Sequence, residues 1–203
     1  NRLMQATFSS RGACLTAVTL AGFRQSVERD SPPVTLDFAQ SPALLYDGIP
    51  GLASDGAFTL EADGGGLRAT SVTAAGLVFT RLISIEDDYR IAVRDQFHNP
   101  GGQPALLPAG RLSLGAMRDD RADALGLDIL PATGGKGVLN WAKQIPGLFK
   151  KQADGNRVPR RLEHAVKEPI DWLAVKNKFF VQILVPDPGA AGFSVLAERA
   201  LAE

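Results

Sequence analysis

Side chains that could carry out chemistry are few in this sequence, and the first candidate is a glycine-rich segment. Residues Gly134-Gly135-Lys136-Gly137 resemble the end of a phosphate-binding loop. That loop also needs glycine at position 130 and serine or threonine at position 137, because backbone N–H groups and a hydroxyl must surround the phosphates and their metal ion. The chain has Leu130 and Gly137 at these positions, so we interpret the segment as a flexible loop.

Metal binding and acid–base catalysis would depend on the two histidines, His98 and His164. Zinc needs several His, Cys, Asp or Glu ligands in one cluster, and these histidines lie in different segments of the chain. The acidic residues Asp119, Asp120 and Asp123 lack the glycine and the terminal glutamate of a calcium loop. We therefore predict no metal site and no cofactor.

Nucleophilic catalysis has no better candidate. The single cysteine, Cys14, lies in an apolar, strand-like run without an obvious partner residue, and we interpret it as a small core residue. One cysteine also cannot form a disulfide within the chain. No serine occupies a Gly-x-Ser-x-Gly turn. We therefore predict no catalytic residues and a protein that is not an enzyme.

The overall charge excludes a second class of function. The chain has 22 Lys and Arg against 22 Asp and Glu, so no general positive field attracts nucleic acid. Hydrophobic residues make up 45% of the sequence, a share typical of folded globular domains. No apolar window approaches the roughly 20 residues that cross a bilayer. Strand-like sequence begins abruptly at Asn1, and from this we expect a piece of a longer protein.

The basic segment 136–167 carries a strong local charge. Eight Lys or Arg and two acidic residues give it a net charge of +6, and apolar residues in its first part have helix-like spacing. An amphipathic basic helix can bind an anionic membrane surface or a protein partner. The alternative is a helix packed onto the domain with a solvated basic face. The candidate contact residues are Trp141, Ile145, Phe149, Lys150, Lys151, Arg160 and Arg161.

The rest of the sequence is typical of β-structure. Met4, Ala6 and Phe8 alternate with polar residues, which is the period of a half-buried strand. Similar short segments follow, separated by turns and not by helices, and this order favours an antiparallel sandwich over a βαβ fold. We predict a single domain over residues 1–203, with a loop and helical insertion at residues 118–168.

The clearest local prediction is a hairpin between residues 77 and 99. Its first strand places Phe79 and Ile83 on one face, where Arg81 also falls. The acidic run 86–88 forms the connection to the return strand.

Two segments near the end of the chain are also apolar. Residues 170–185 form a strand-like run that ends at Asp187-Pro188-Gly189. Residues 193–201 could be a final strand or a short helix, and the pattern does not separate these alternatives.

Several segments together resemble one protein family in their order and spacing. The segments are Ala6 to Ala13, Pro33 to Leu36 with Ser41-Pro42 and Tyr46, the hairpin motifs Phe79-Thr80-Arg81, Asp88-Tyr89 and Phe97-His98-Asn99, and Trp172 to Phe180. They are similar to the large periplasmic domain of bacterial YidC-type membrane protein insertases.

The resemblance implies a mainly β fold, an antiparallel β-supersandwich like that of galactose mutarotases. It also implies a place in the periplasm, within a protein anchored in the bacterial inner membrane that inserts membrane proteins and helps them to fold. The domain would be non-catalytic and would offer a groove or sheet edge to partners. Those partners would be the Sec translocon and its accessory subunits, or nascent membrane proteins.

The alternative function is a carbohydrate-binding or aldose-epimerase-like periplasmic sandwich. Mutarotase chemistry needs a histidine and a glutamate that converge on one sugar ring. The sequence positions of His98 and His164 do not favour that arrangement.

Overall fold

The computed structural model describes residues 1–116, 128–134, 137–138 and 161–198. These residues contain strands and no helix, and all strand pairs are antiparallel, which confirms the mainly β, antiparallel prediction. No helix in this part of the chain is long and apolar enough to span a membrane. The chain divides into two compact units, Asn1–Arg118 and Asp119–Glu203.

The first unit contains three sheets. A three-stranded sheet has the order β1-β2-β3, a four-stranded sheet has the order β5-β6-β7-β8, and β4 pairs with β9. The strands are β1 (Met4–Phe8), β2 (Leu15–Arg24), β3 (Pro33–Asp37), β4 (Tyr46–Asp47), β5 (Thr59–Asp63), β6 (Gly66–Val72), β7 (Val78–Ile85), β8 (Ile91–His98) and β9 (Arg111–Leu112).

In the sheets β1-β2-β3 and β5-β6-β7-β8, strands that are neighbours in the sheet are also consecutive in sequence. Gly64 and Gly65 have φ angles of +56° and +89° between β5 and β6, a left-handed conformation that side chains with a Cβ rarely adopt. The predicted hairpin 77–99 is present as β7 and β8, with the acidic run 86–88 in its turn.

Asn1 connects the start of β1 to that turn. Its Nδ2 donates hydrogen bonds to the carbonyl oxygens of Glu86 and, at 2.8 Å, of Asp88. Its Oδ1 accepts hydrogen bonds from the backbone N–H groups of Leu3 and Met4. One amide side chain therefore joins the three-stranded sheet to the four-stranded sheet.

The core of the first unit is centred on the aromatic ring of Phe79. This ring lies edge-on to Tyr46 at 5.8 Å and to Phe58 at 5.9 Å, and it is tilted against Phe97 at 5.0 Å between centroids. Edge-to-face geometry matches the positive edge of one ring with the negative face of another. The buried residues of this cluster are Ala13, Ile49, Leu52, Phe58, Ala69 and Phe79.

The described residues of the second unit form a four-stranded sheet and a two-stranded sheet. Their orders are β11-β10-β13-β14 and β12-β15. Ile129 and Val195 form a small core with half-buried neighbours that include Val175 and Phe193. The strands are β10 (Asp128–Thr133), β11 (Gly137–Val138), β12 (Arg161–Val166), β13 (Trp172–Lys176), β14 (Val181–Leu184) and β15 (Phe193–Glu198).

Three strands, β10, β11 and β12, lie within the range 118–168, for which a loop and helical insertion was predicted. Pro131 lies inside β10, although proline lacks the N–H that a strand with two neighbours needs. Among the described residues its strand neighbour is Leu173 of β13, and a proline with a neighbour on one side is tolerated. Helix-like spacing was predicted for residues 137–151, and of these only 137–138, which form β11, lie among the described residues.

The apolar run 170–185 forms a hairpin instead of one extended segment. Asn177 directly follows β13, and its Oδ1 accepts hydrogen bonds from the N–H groups of Phe179 at 2.8 Å and Phe180 at 2.7 Å. Asparagine stabilises turns through such bonds to the following backbone. Of the segment 193–201, for which a strand and a short helix were both open, the described residues form the strand β15.

Candidate functional site

Arg81 is the most heavily bonded charged side chain of the first unit, and it is 0% exposed. Its Nε and Nη2 donate to the two carboxylate oxygens of Asp95 at 2.8 and 2.7 Å. Its Nη1 donates to the carbonyl oxygens of Ala13, at 3.0 Å, and Leu44. Four of the five N–H groups of the guanidinium are therefore bonded inside the protein, where they connect β7 with β8 and with two loop carbonyls.

Tyr46 packs against the same guanidinium, with the Arg81 Cζ 5.3 Å from the centre of its ring. The pKa of the Tyr46 phenol is raised to about 12, mainly by burial and also by the negative charge of Asp95, while the positive charge of Arg81 partly opposes both effects. The folded protein therefore holds the Tyr46 proton more tightly than the unfolded chain does.

We expect this tyrosine to make the protein less stable in alkali. Because the pKa in the folded state is the higher one, stability is fully present below pH 10 and decreases as the pH rises through about 12. Thermal unfolding of the protein and of Tyr46→Phe between pH 8 and 12 checks this. The variant should lose less stability over that interval, and an identical decrease would contradict the assignment.

The sequence candidates for chemistry lie in separate elements of the described residues. His98 is the last residue of β8 in the first unit, and His164 lies in β12 of the second unit. Cys14 is buried, its Sγ donates to the carbonyl of Arg11 at 3.3 Å, and burial raises the pKa of its thiol. The described part of the chain holds no group of three or more metal-ligating side chains.

The predicted contact residues of the basic segment fall almost wholly outside the described residues. Only Arg161 is described. It is the first residue of β12, and its backbone lies opposite that of Glu198 in the neighbouring strand β15. The role of this segment in membrane or partner binding stays a prediction.

The first unit has an apolar cleft with a volume of about 360 Å³. Residues 49–50, 73–75 and 106–108 line it, together with Leu77. Pockets of this size hold small ligands or a few side chains. The single hydroxyl in the lining, that of Thr73, already accepts a hydrogen bond from the Leu77 N–H at 3.1 Å, so the cleft favours an apolar occupant.

Close backbone contacts build the wall of this cleft. Ala74 N–H donates to the carbonyl of Pro50 at 3.0 Å. Gly51 lies between them with φ +93°, and a Cβ at this position would be 3.1 Å from the Cα of Thr73. Only glycine permits both this approach and this conformation. The opposite wall is different: Leu106 is 84% exposed and Leu107 is 42% exposed.

The second unit exposes an apolar strand. In the sheet formed by the described residues β14 is the terminal strand, and Val181, Ile183 and the following Val185 are 54%, 54% and 68% exposed. Gln182 and Leu184 alternate with them and are half-buried. Edge strands usually carry charges or proline that prevent pairing with other chains, and residues 181–185 contain neither.

The sequence interpretation expected a groove or a sheet edge but named no lining residue. The cleft is formed by three segments that are distant in sequence, and a local sequence pattern cannot predict that they meet. The alternation at 181–185 was present in the sequence, but a period of two does not tell which face of a strand is covered.

Comparison with known proteins shows one family throughout. The model of the YidC periplasmic domain matches residues 1–200. Similar proteins include the membrane protein insertase YidC of Caulobacter sp. (strain K31), which is 25% identical over 90% of this chain and 32% of the relative. Those of Roseobacter denitrificans and Rhizobium johnstonii are 26% and 28% identical over 93% and 89% of this chain, and 34% and 31% of the relatives. The chain thus spans about a third of the length of these relatives.

Proposed function

The chain belongs to the YidC periplasmic domain family, and from this premise we propose that it is the non-catalytic periplasmic part of a membrane protein insertase. The parent protein is anchored in the bacterial inner membrane, and this domain supports the insertion and folding of other membrane proteins by binding them. The relatives that match over about a third of their length are named as membrane protein insertases, which supports this role.

The apolar cleft is the binding site that we propose for these substrates. Segments that cross a membrane are runs of about 20 apolar residues, and they expose those side chains to water before insertion. A cleft of about 360 Å³ accepts a few such side chains and not a whole helix. The single observation that carries the proposal is the apolar lining with Leu106 at its rim, 84% exposed, since burial of one leucine contributes about 1.5–3 kcal/mol.

The Sec translocon and its accessory subunits are the second class of partner that we propose. A protein surface could bind the same cleft through a single apolar side chain, or it could bind the basic segment 136–167. That segment, with a net charge of +6, is also suited to anionic lipid headgroups.

A photo-crosslinking amino acid in place of Leu106 tests the cleft in the full-length parent protein. We expect it to cross-link to newly synthesised membrane proteins. Leu107→Asp introduces a charge into the apolar lining and should lower the cross-linked yield about tenfold. This corresponds to a loss of about 1.4 kcal/mol of binding free energy. Cross-links to Sec subunits instead would assign the cleft to the second class of partner.

The matched control is Val27→Asp, which introduces the same charge at a fully exposed residue outside the cleft lining. It should leave the yield at position 106 unchanged. If the cross-linked yield is the same with and without Leu107→Asp, the cleft does not bind substrate.

A further inference from the structure

The exposed edge of β14 has an unusual symmetry in its sequence. Residues 181–185 read Val-Gln-Ile-Leu-Val, so the apolar side chains on the exposed face are evenly placed about Ile183. The opposite side of β14 is occupied, because β13 pairs with it from Leu173 to Lys176. Among the described residues no strand pairs with the other side of β14, and such an edge presents backbone N–H and C=O groups that can pair with another strand.

We propose that this edge pairs with the same edge of a second copy of the chain, antiparallel and centred on Ile183. In that register Ile183 lies opposite Ile183 of the partner copy, and Val181 lies opposite Val185 of the partner copy. A two-fold axis perpendicular to the sheet keeps the exposed faces of both copies on one side. The three exposed side chains of each copy then form one continuous apolar row, and cross-strand contacts between β-branched residues stabilise it.

The charges at the two ends of the edge support the antiparallel direction. Lys178 lies in the turn before Val181, with its Nζ 5.5 Å from the centre of the Phe179 ring. Asp187 follows shortly after Val185. Antiparallel pairing brings the lysine end of one copy to the aspartate end of the other at both ends of the contact. Parallel pairing would place like charges together, and this complementarity therefore selects the direction.

The contact is small, and this sets the conditions under which it forms. Pairing of one five-residue edge buries much less than the roughly 1,200 Å² of a stable interface. Association is therefore weak in dilute solution and becomes favourable where copies are concentrated, as they are when attached to one membrane. This inference concerns a different surface and a different occupant from the cleft, so either proposal can fail without the other.

Disulfide cross-linking of Ile183→Cys in the full-length parent protein, in its native membrane, tests the register. Directly opposite residues have Cβ atoms about 4.5–5.5 Å apart, close to the separation that a disulfide needs. Mild oxidation should convert this variant to a covalent dimer at least ten times faster than Val72→Cys, a control at a strand residue that is 60% exposed. A mixture of Val181→Cys and Val185→Cys proteins should cross-link faster than either protein alone.

Three results would overturn the proposal. Ile183→Cys could dimerise no faster than the Val72→Cys control, or the mixed proteins could show no preference. Ile183→Cys could also cross-link to a different protein, which would make the edge a site for an extended substrate. Position 183 is 54% exposed, so the substitution leaves the fold intact, and circular dichroism verifies this.

Discussion

Replacing Arg81 with methionine is expected to lower the free energy of unfolding of the first unit by about 3–5 kcal/mol. The change removes a guanidinium that is 0% exposed and leaves the Asp95 carboxylate without its two donors. The carbonyl oxygens of Ala13 and Leu44 lose their donor as well. Unfolding in urea, followed by circular dichroism, measures this loss.

Arg68 provides the matched control for this prediction. Its Nη2 lies 2.7 Å from the Asp63 carboxylate, but both side chains are more than 40% exposed, and exposed ion pairs contribute about 0–1 kcal/mol. Arg68→Met should therefore cost less than about 1 kcal/mol. Similar losses for the two variants would mean that the buried pair of Arg81 and Asp95 does not stabilise the unit.

A double substitution separates the cost of an unpaired charge from the contribution of the pair. Arg81→Met together with Asp95→Leu removes both charges, and buried pairs can often be replaced by apolar side chains at little cost. We expect the double variant to recover part of the stability that Arg81→Met loses. The two carbonyl oxygens remain without a donor, so recovery should be incomplete.

Replacing Phe79 with alanine is the second large effect that we expect, about 3–5 kcal/mol of unfolding free energy. The ring is fully buried and contacts Tyr46, Phe58 and Phe97. Truncation leaves a cavity between side chains from several strands and a loop, which cannot all move inward together. The same urea measurement applies.

Val72→Ala tests whether this loss comes from the core. Val72 is the last residue of β6 and is 60% exposed, so its truncation should change stability by no more than about 0.5 kcal/mol. Phe79→Leu should lie between the two variants, because leucine fills part of the volume. A loss for Phe79→Ala as small as that for Val72→Ala would contradict the position of Phe79 at the centre of the core.

The core of the first unit and the wall of the cleft have a residue in common. Ile49 belongs to the core cluster and also lines the cleft. Measurements of substrate binding by Arg81 or Phe79 variants would therefore mix two effects. Substitutions at Leu106 and Leu107, which are exposed, test binding without disturbing the core.

The sequence alone determined the family and the class of fold. The hairpin of β7 and β8 was predicted because alternation and turn-forming residues are local properties, readable over about ten residues. The position of Arg81 among apolar neighbours was also visible. Its partners were not, since Ala13 and Leu44 are 68 and 37 residues away in sequence.

The tertiary structure alone decided where the candidate surfaces lie. Pro131 argued locally against a strand, yet pairing with Leu173 places it in β10. The alternation at 181–185 is the same whether a strand is covered or exposed, and the sheet order makes it an exposed edge. Residues 49–50 and 106–108 meet only because the chain folds back on itself. Local chemistry therefore determines which strands form, whereas contacts between distant segments decide which faces and clefts remain open to a partner.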